Sequence, residues 1–425
     1  MKQNRINKLK GKWKVFCLLI FFPGFGFAQS DSSFALSYAD GKKILLKQSL
    51  SVLAEYYNIN LAEAEVEQAK LWNNPLFVWN AEMYSVDQNR YFKFVNQKLI
   101  QVEYVISASG KRIKAVREAS IAVDLSKSAF EDVVRGLIYE YSEAFTELWA
   151  LNKKNEVYKI VLEQYEYMQR LFRKQYELGA ISLNDLIRVE SEIVSIQTEV
   201  TANKNEILSQ KSKLNTLLNL GPQADVEPVE RKVAEKDTMN IGGLMDLALA
   251  VRPDWKIAQR NIDYYQAQLK TQKAEAMPDI NLGYQPHDKG SNHVRPYIGM
   301  VLEVGLPIFN RNQGNISKAN IMIEQSKLEM QLIRKSIENE VFSAYFMYKN
   351  YRENFSLFSE KFVKDVEGLS ENARRNFEKK NISLLEFIDY QRTFLDVRMK
   401  NIEQYKNYYH AVNALNFVTG KEVTN

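Results

Sequence analysis

Apolar residues recur at every seventh position along most of the chain. Val116, Val123, Phe130, Leu137, Ala144, Leu151, Tyr158 and Tyr165 form one series, and Ile316, Ile323, Met330, Ile337, Ala344, Tyr351 and Phe358 form a second. Shorter series follow each: Leu186, Ile193, Val200, Ile207 and Leu214, then Ile388, Leu395, Ile402 and Tyr409. A seven-residue period predicts α-helices packed as coiled coils. Proline placement agrees, with none between Pro75 and Pro222 and none after Pro307. Because proline costs about 3 kcal/mol inside a helix, these runs can carry very long helices. Two further helices are predicted over 40–72 and 241–276, ending before Pro75 and Pro278.

After each of those prolines the period drops to two. The expected strands are Leu76–Val86 and Lys93–Ser107 in the first half, and Asp279–Gln285 and Val294–Leu306 in the second. Ile100, Val102, Tyr104 and Ile106 share one face, with Gln97, Gln101 and Glu103 on the other. Ile298, Met300, Leu302 and Val304 lie opposite Tyr297, Gly299, Val301 and Glu303. Strands near ten residues long, with one apolar and one mixed polar face, suit a transmembrane barrel or a sheet laid on a soluble core. Four strands cannot close a barrel, which takes about eight. An open sheet in lipid would leave backbone groups unpaired at its edges. Strands in a membrane would therefore require several chains to share one barrel.

The two halves match at an offset of about 200 residues. Pro75 pairs with Pro278, Val123 with Ile323, and Leu137 with Ile337; Gly179-Ala180-Ile181-Ser182-Leu183 pairs with Lys380-Asn381-Ile382-Ser383-Leu384. The plan is a tandem duplication, with a first repeat over 29–220, a linker over 221–240 and a second repeat over 241–425.

Composition narrows the class. Gly and Pro together supply 26 of 425 residues, too few turn formers for a many-stranded β-fold. One Cys excludes an intramolecular disulfide framework, and three His leave little for catalysis or metal ligation. The net charge of +5 invites an anionic partner, but residues 1–28 account for it. Lys2, Arg5, Lys8, Lys10, Lys12 and Lys14 precede the apolar run Val15–Phe27, and Gly26-Phe27-Ala28 ends it. This is the pattern of a secretory signal peptide cut after Ala28. Its removal takes six basic residues and no acid, leaving 51 against 52. No nucleic-acid module, phosphate-binding glycine loop, zinc motif or nucleophile elbow is present, so neither an enzyme nor a nucleic-acid partner is expected.

The signal peptide, the duplicated helix–hairpin–helix plan and the heptads resemble the TolC-like outer-membrane efflux family over about residues 40 to 420. Two local motifs are similar to its heavy-metal (CzcC-like) branch. Ser109-Gly110-Lys111-Arg112 stands where that branch has Gly-Gly-Lys-Arg. Leu306-Pro307-Ile308-Phe309-Asn310-Arg311-Asn312-Gln313-Gly314 resembles its Pro-Leu-Phe-Asp/Asn-Arg-Asn-x-Gly stretch. The resemblance implies a mainly α fold with a small β part. A homotrimer would form a twelve-stranded barrel in the outer membrane and an α-helical tunnel in the periplasm. A helix of about 65 residues would reach about 100 Å. It further implies a passive duct without a cofactor, coupled through a periplasmic adaptor to an inner-membrane pump of the resistance-nodulation-division type. Multidrug or type I secretion export, and a secreted coiled-coil scaffold without a pore, are the alternatives.

By the same resemblance the hairpin tips, Gly179, Ala180, Ile181 and Ser182 and then Asn381, Ile382 and Ser383, dock the adaptor. They are also ordinary turns, with Gly179 and Asn381 the residues that tolerate positive φ. Glu386 and Asp389 share a helix face just past the second tip and would ring the periplasmic aperture, with Asp185 at the first tip as a weaker candidate. A helix N-terminus favours such acids without any pore. His287 and His293 are expected in an external loop and His410 in a helix interface. Trp72 and Trp79 suit an interfacial belt or core packing. Lys111, Arg112, Lys114 and Arg117 open a long helix, the wrong dipole end for cations, which points to a local structural or lipid-headgroup contact.

Overall fold

A computed structural model describes residues 34–80, 83–86, 89–91, 99–231, 240–288, 295, 297–355 and 360–424. The segment 1–28 expected to be a leader, with Gln97, His293 and Phe358, lies outside the described residues. The first half runs β1 (Phe34–Leu36), α1 (Tyr38–Gln48), α2 (Leu50–Lys70), β2 (Leu76–Asn80), β3 (Tyr84–Ser85), β4 (Arg90–Tyr91), β5 (Leu99–Ile106), α3 (Lys111–Glu177) and α4 (Leu183–Leu217). The second runs β6 (Val226–Pro228), α5 (Ile241–Val251), α6 (Pro253–Glu275), β7 (Ile280–Asp288), β8 (Tyr297–Val304), α7 (Gln313–Phe355), α8 (Glu360–Glu378) and α9 (Leu384–Thr419).

The heptads mark the inward stripes. Val123, Ala144, Leu151 and Tyr165 on α3 are buried, as are Ile323, Ile337 and Ala344 on α7. At 67 residues α3 is about 100 Å long. Its lower part packs with α4, α8 and α9 around Tyr165, Met168, Val189, Phe387 and Phe394. Buried amides fix register inside this shaft. Gln391, fully buried, donates to the Ser370 carbonyl (3.0 Å) and accepts from its hydroxyl (2.8 Å). Asn203 donates to the Leu151 carbonyl at 3.0 Å. Above the shaft, α2 packs on α3, α3 on α6 and α6 on α7, and a four-stranded sheet continues this order as β2-β5-β7-β8.

Several expected boundaries move. The helix expected over 40–72 breaks at Ser49, an extended residue whose N–H still reaches the Leu45 carbonyl (3.1 Å). The helix expected over 241–276 breaks at Arg252, because a residue before proline avoids the helical region and Pro253 has no N–H to donate. These two breaks occupy corresponding places in the halves. The strand expected to reach Val86 ends at Asn80, and Tyr84–Ser85 pairs separately with Arg90–Tyr91. The third strand extends to Asp288, so the backbone of His287 belongs to β7 and not to the loop beyond it. Among the described residues no helix is long and apolar enough to cross a membrane.

Candidate functional site

The sheet separates two chemistries. Trp79 and Ile100 are opposite each other, Phe77, Val102, Tyr284 and Met300 form one row, and Tyr104, Leu282 and Leu302 the next. This apolar face is open in the single chain, with Met300 80%, Ile298 70% and Leu302 68% exposed. The opposite face carries a polar ladder. Gln285 donates to Gln101 (2.7 Å), Gln101 donates to Glu103, and Asn281 donates to Glu103 (3.0 Å) and to Glu303 (3.4 Å). Gly283 and Gly299 make room for it, since a Cβ at either would stand 2.8 Å from the Gln101 or Gln285 amide. Among the described residues the edges, β2 and β8, each pair on one side only.

The family-motif residues bind the sheet to the shaft. Ser109 and Gly110 take positive φ (62° and 67°), turning the chain from β5 into α3. Two of the cations at the start of α3 serve the ends of other helices. Lys111 sits 2.9 Å from Asp279 and 3.5 Å from Glu275, at the end of α6. Arg112 donates to the Lys70 carbonyl at the end of α2 (3.0 Å) and lies 4.0 Å over the Trp72 ring. Lys114 donates to the Ser109 carbonyl at 2.7 Å. Lys111 and Arg112 thus meet helix C-termini, the favourable dipole end. The second motif repeats the device. Asn312 (φ 56°) donates to the Gln272 carbonyl at 2.8 Å, close to where the Ser109 hydroxyl reaches the Ala274 carbonyl at 3.2 Å. Asn310 accepts from the Asn312 N–H, and Arg311 donates to the Ile308 carbonyl. Pro307 leads into the turn and Gly314 lies in the first turn of α7. Phe309 projects with 92% exposure.

At the far end of the shaft the two tips share one construction. The Gly179 N–H bonds to Tyr176 and the Ala180 N–H to Gln175; the Lys380 N–H bonds to Phe377 and the Asn381 N–H to Asn376. Positive φ falls on Gly179 (73°) and on Lys380 (59°), so Asn381 is one residue past the strained position expected of it. Ile181 and Ile382 turn inward onto the shaft core, while Leu178, Gly179, Ala180 and Asn381 face solvent. Ser182 caps α4 by accepting from the Asp185 N–H, and Ser383 caps α9 in a full capping box with Glu386. Glu386 accepts from the Ser383 N–H at 2.7 Å. That backbone bond, helped by the Ser383 hydroxyl, holds its carboxyl below the usual range. Asp185 and Glu386 are therefore equivalents, each occupied by a cap, whereas Asp389 is exposed beside Arg392. Arg392 bridges the hairpins through Glu192 (2.5 Å).

Two polar clusters gave weaker sequence signals. Arg252, 3% exposed, holds Asp254 bidentately, Glu340 at 2.7 Å and the Val418 carbonyl at 3.0 Å. Arg135 donates to the neighbouring Phe417 carbonyl, so both guanidinium groups close the end of α9. The signal was an Arg-Pro-Asp step interrupting an apolar helix. His410 stands 2.6 Å from Glu143 and 3.4 Å from Glu147 on α3. Burial opposes its charge, but the two carboxylates outweigh burial and push its pKa up to about 9. Among the described residues no group of three or more His, Cys, Asp or Glu is arranged to hold a metal ion.

A two-faced, open-edged sheet on a duplicated helical shaft defines a chain built for a membrane channel. The chain matches the outer membrane efflux protein family over residues 43–220 and again over 244–421, and it belongs to that family. It is similar to the cobalt-zinc-cadmium resistance protein CzcC of Cupriavidus metallidurans, 20% identical over 94% of this chain and 96% of that one. Its fold is that of the CmeC outer membrane channel of Campylobacter jejuni, with a TM-score of 0.75 at 12% identity, covering 91% of this chain and 87% of that one. VceC of Vibrio cholerae gives a TM-score of 0.69 at 16% identity, covering 90% and 96%.

Proposed function

We propose that three copies of this chain form the outer-membrane duct of a tripartite efflux system that exports heavy-metal cations. The observation that carries this reading is the double set of open edges. Among the described residues no strand pairs with the outer side of β2 or β8, and the helix layer above the shaft ends likewise at α2 and α7. Both helices carry exposed apolar residues, Leu50, Leu53, Tyr57 and Leu61 on one and Ile321, Leu328 and Leu332 on the other. Joining copies edge to edge satisfies both layers at once. Two copies would give eight strands, a barrel whose interior side chains fill. Three give twelve, with the apolar face toward lipid and the ladder toward a wet lumen.

The cargo reading rests on the likeness to CzcC and on the ladder's charge. Glu103 and Glu303 from three copies would put six carboxylates around the lumen, which favours cations. The tips would dock the periplasmic adaptor through Leu178, Gly179, Ala180 and Asn381, and Glu386 and Asp389 would ring the closed aperture. The inner-membrane pump would supply the energy, so this chain needs no chemistry of its own. A deletion strain challenged with a panel of metals and drugs tests the cargo. Sensitivity to Co, Zn, Cd, Ni, Cu or Ag is expected; sensitivity to drugs alone refutes it.

A further inference from the structure

The strands β2, β5, β7 and β8 alternate in direction, so β2 begins and β8 ends at the same, shaft-facing end of the sheet. They do so on opposite edges. Just before β2, a cleft of about 160 Å³ opens between the end of α2 and the start of α3, walled by Leu71, Trp72, Val105, Arg112 and Ile113. Leu71, Trp72 and Ile113 are 62%, 70% and 70% exposed. Arg112 lies 4.0 Å over the Trp72 ring and steadies that wall. Just after β8, and so beyond the same end of the sheet, Phe309 is 92% exposed and flanked by exposed Leu306 and Ile308. A benzene ring fits a cavity of about 150 Å³. Solvent-facing residues of this size on both edges of one layer carry a cost that contact between them would remove.

We infer that Phe309 of one copy seats in the Leu71–Trp72–Ile113 cleft of the next, as a ball and socket that sets the register between neighbouring copies at the junction of sheet and shaft. The inference rests on the edge-to-edge assembly proposed above. The partner is a second copy of this chain, because closing β8 on the next β2 brings these two features to one level. The socket is incomplete without that copy. Within one chain the two follow opposite edges of the sheet, and β2 and β8 are three strand spacings apart, about 14 Å.

That distance makes the test unambiguous. A disulfide needs Cα atoms within about 7 Å, so Leu71→Cys with Phe309→Cys in one chain cannot close on itself. Cys17, in the leader, is the chain's single cysteine. Oxidation of the detergent-extracted double variant should give covalent dimers and trimers, and an equal mixture of the two single variants should give dimers. Phe309→Ala should lower the temperature at which the trimer dissociates in SDS, and Phe309→Leu should restore most of it. A trimer by native mass spectrometry that forms no cross-link overturns the ball and socket while leaving the assembly intact. A monomeric wild type overturns both.

Discussion

The His410 cluster gives a measurable pH dependence. His410 on α9 faces Glu143 and Glu147 on α3, with Lys406 one turn away on its own helix and 3.6 Å from Glu147. Folding raises its pKa from 6.5 to about 9. A raised pKa contributes stability that is fully present below the unfolded value and is lost as pH climbs through the folded one. At about 1.4 kcal/mol per unit, the full contribution is about 3 kcal/mol, of which about half remains midway through the window. Thermal unfolding of the detergent-extracted protein, followed from pH 6.5 to about 9, should therefore show a decline across that range. His410→Gln should be less stable than the parent at the acid end and should lack the decline. Glu143→Gln should shift the decline toward lower pH. A parent and a His410→Gln variant with parallel profiles would refute the ion-pair reading and leave His410 a merely packed residue.

Three further outcomes follow from particular contacts. Glu386→Gln with Asp389→Asn should raise single-channel conductance in bilayers and reduce cation selectivity; Gln preserves the capping box, so an unchanged conductance would remove both acids from the aperture. Gly41→Ala would place a Cβ 2.1 Å from the Tyr141 hydroxyl, which donates to the Tyr38 carbonyl, and overpacking of this kind costs roughly 1–3 kcal/mol, read as a lower unfolding temperature. Arg252→Leu would strand Asp254, Glu340 and the end of α9, costing about 3–5 kcal/mol; a yield of heat-stable protein equal to the parent's would contradict that role.

The seven-residue period carries the helical architecture because it records burial directly, and the two-residue period carries the sheet because alternate side chains fall on opposite faces. Every described member of the α3 series, from Val116 to Tyr165, is at least partly buried, and Ile100, Val102, Tyr104 and Ile106 do share one face of β5. The duplication was legible for the same reason: two chains of contacts of one shape need one pattern twice. What escaped the pattern were the breaks at Ser49 and Arg252 and the positive φ at Lys380. Each depends on a few backbone bonds that leave no periodic trace.

The roles of the polar residues divide along the same line. That Lys111 and Arg112 would make a local structural or a lipid-headgroup contact was readable from their place at the wrong end of a helix. Which carbonyls and carboxylates they meet was not, because Lys70, Glu275 and Asp279 come to that point only when α2 and α6 flank α3. Glu386 differs, since its first partner is local: the Ser383 cap three residues earlier holds its carboxylate, and Ser-x-x-Glu is a pattern of the sequence. Sequence alone determined the periods, the two-faced strands and the repeat, because local sterics and burial act residue by residue. Tertiary structure alone decided which edges stay open, which cations close which helix ends and where Phe309 stands, because those facts depend on elements distant in the chain meeting in space.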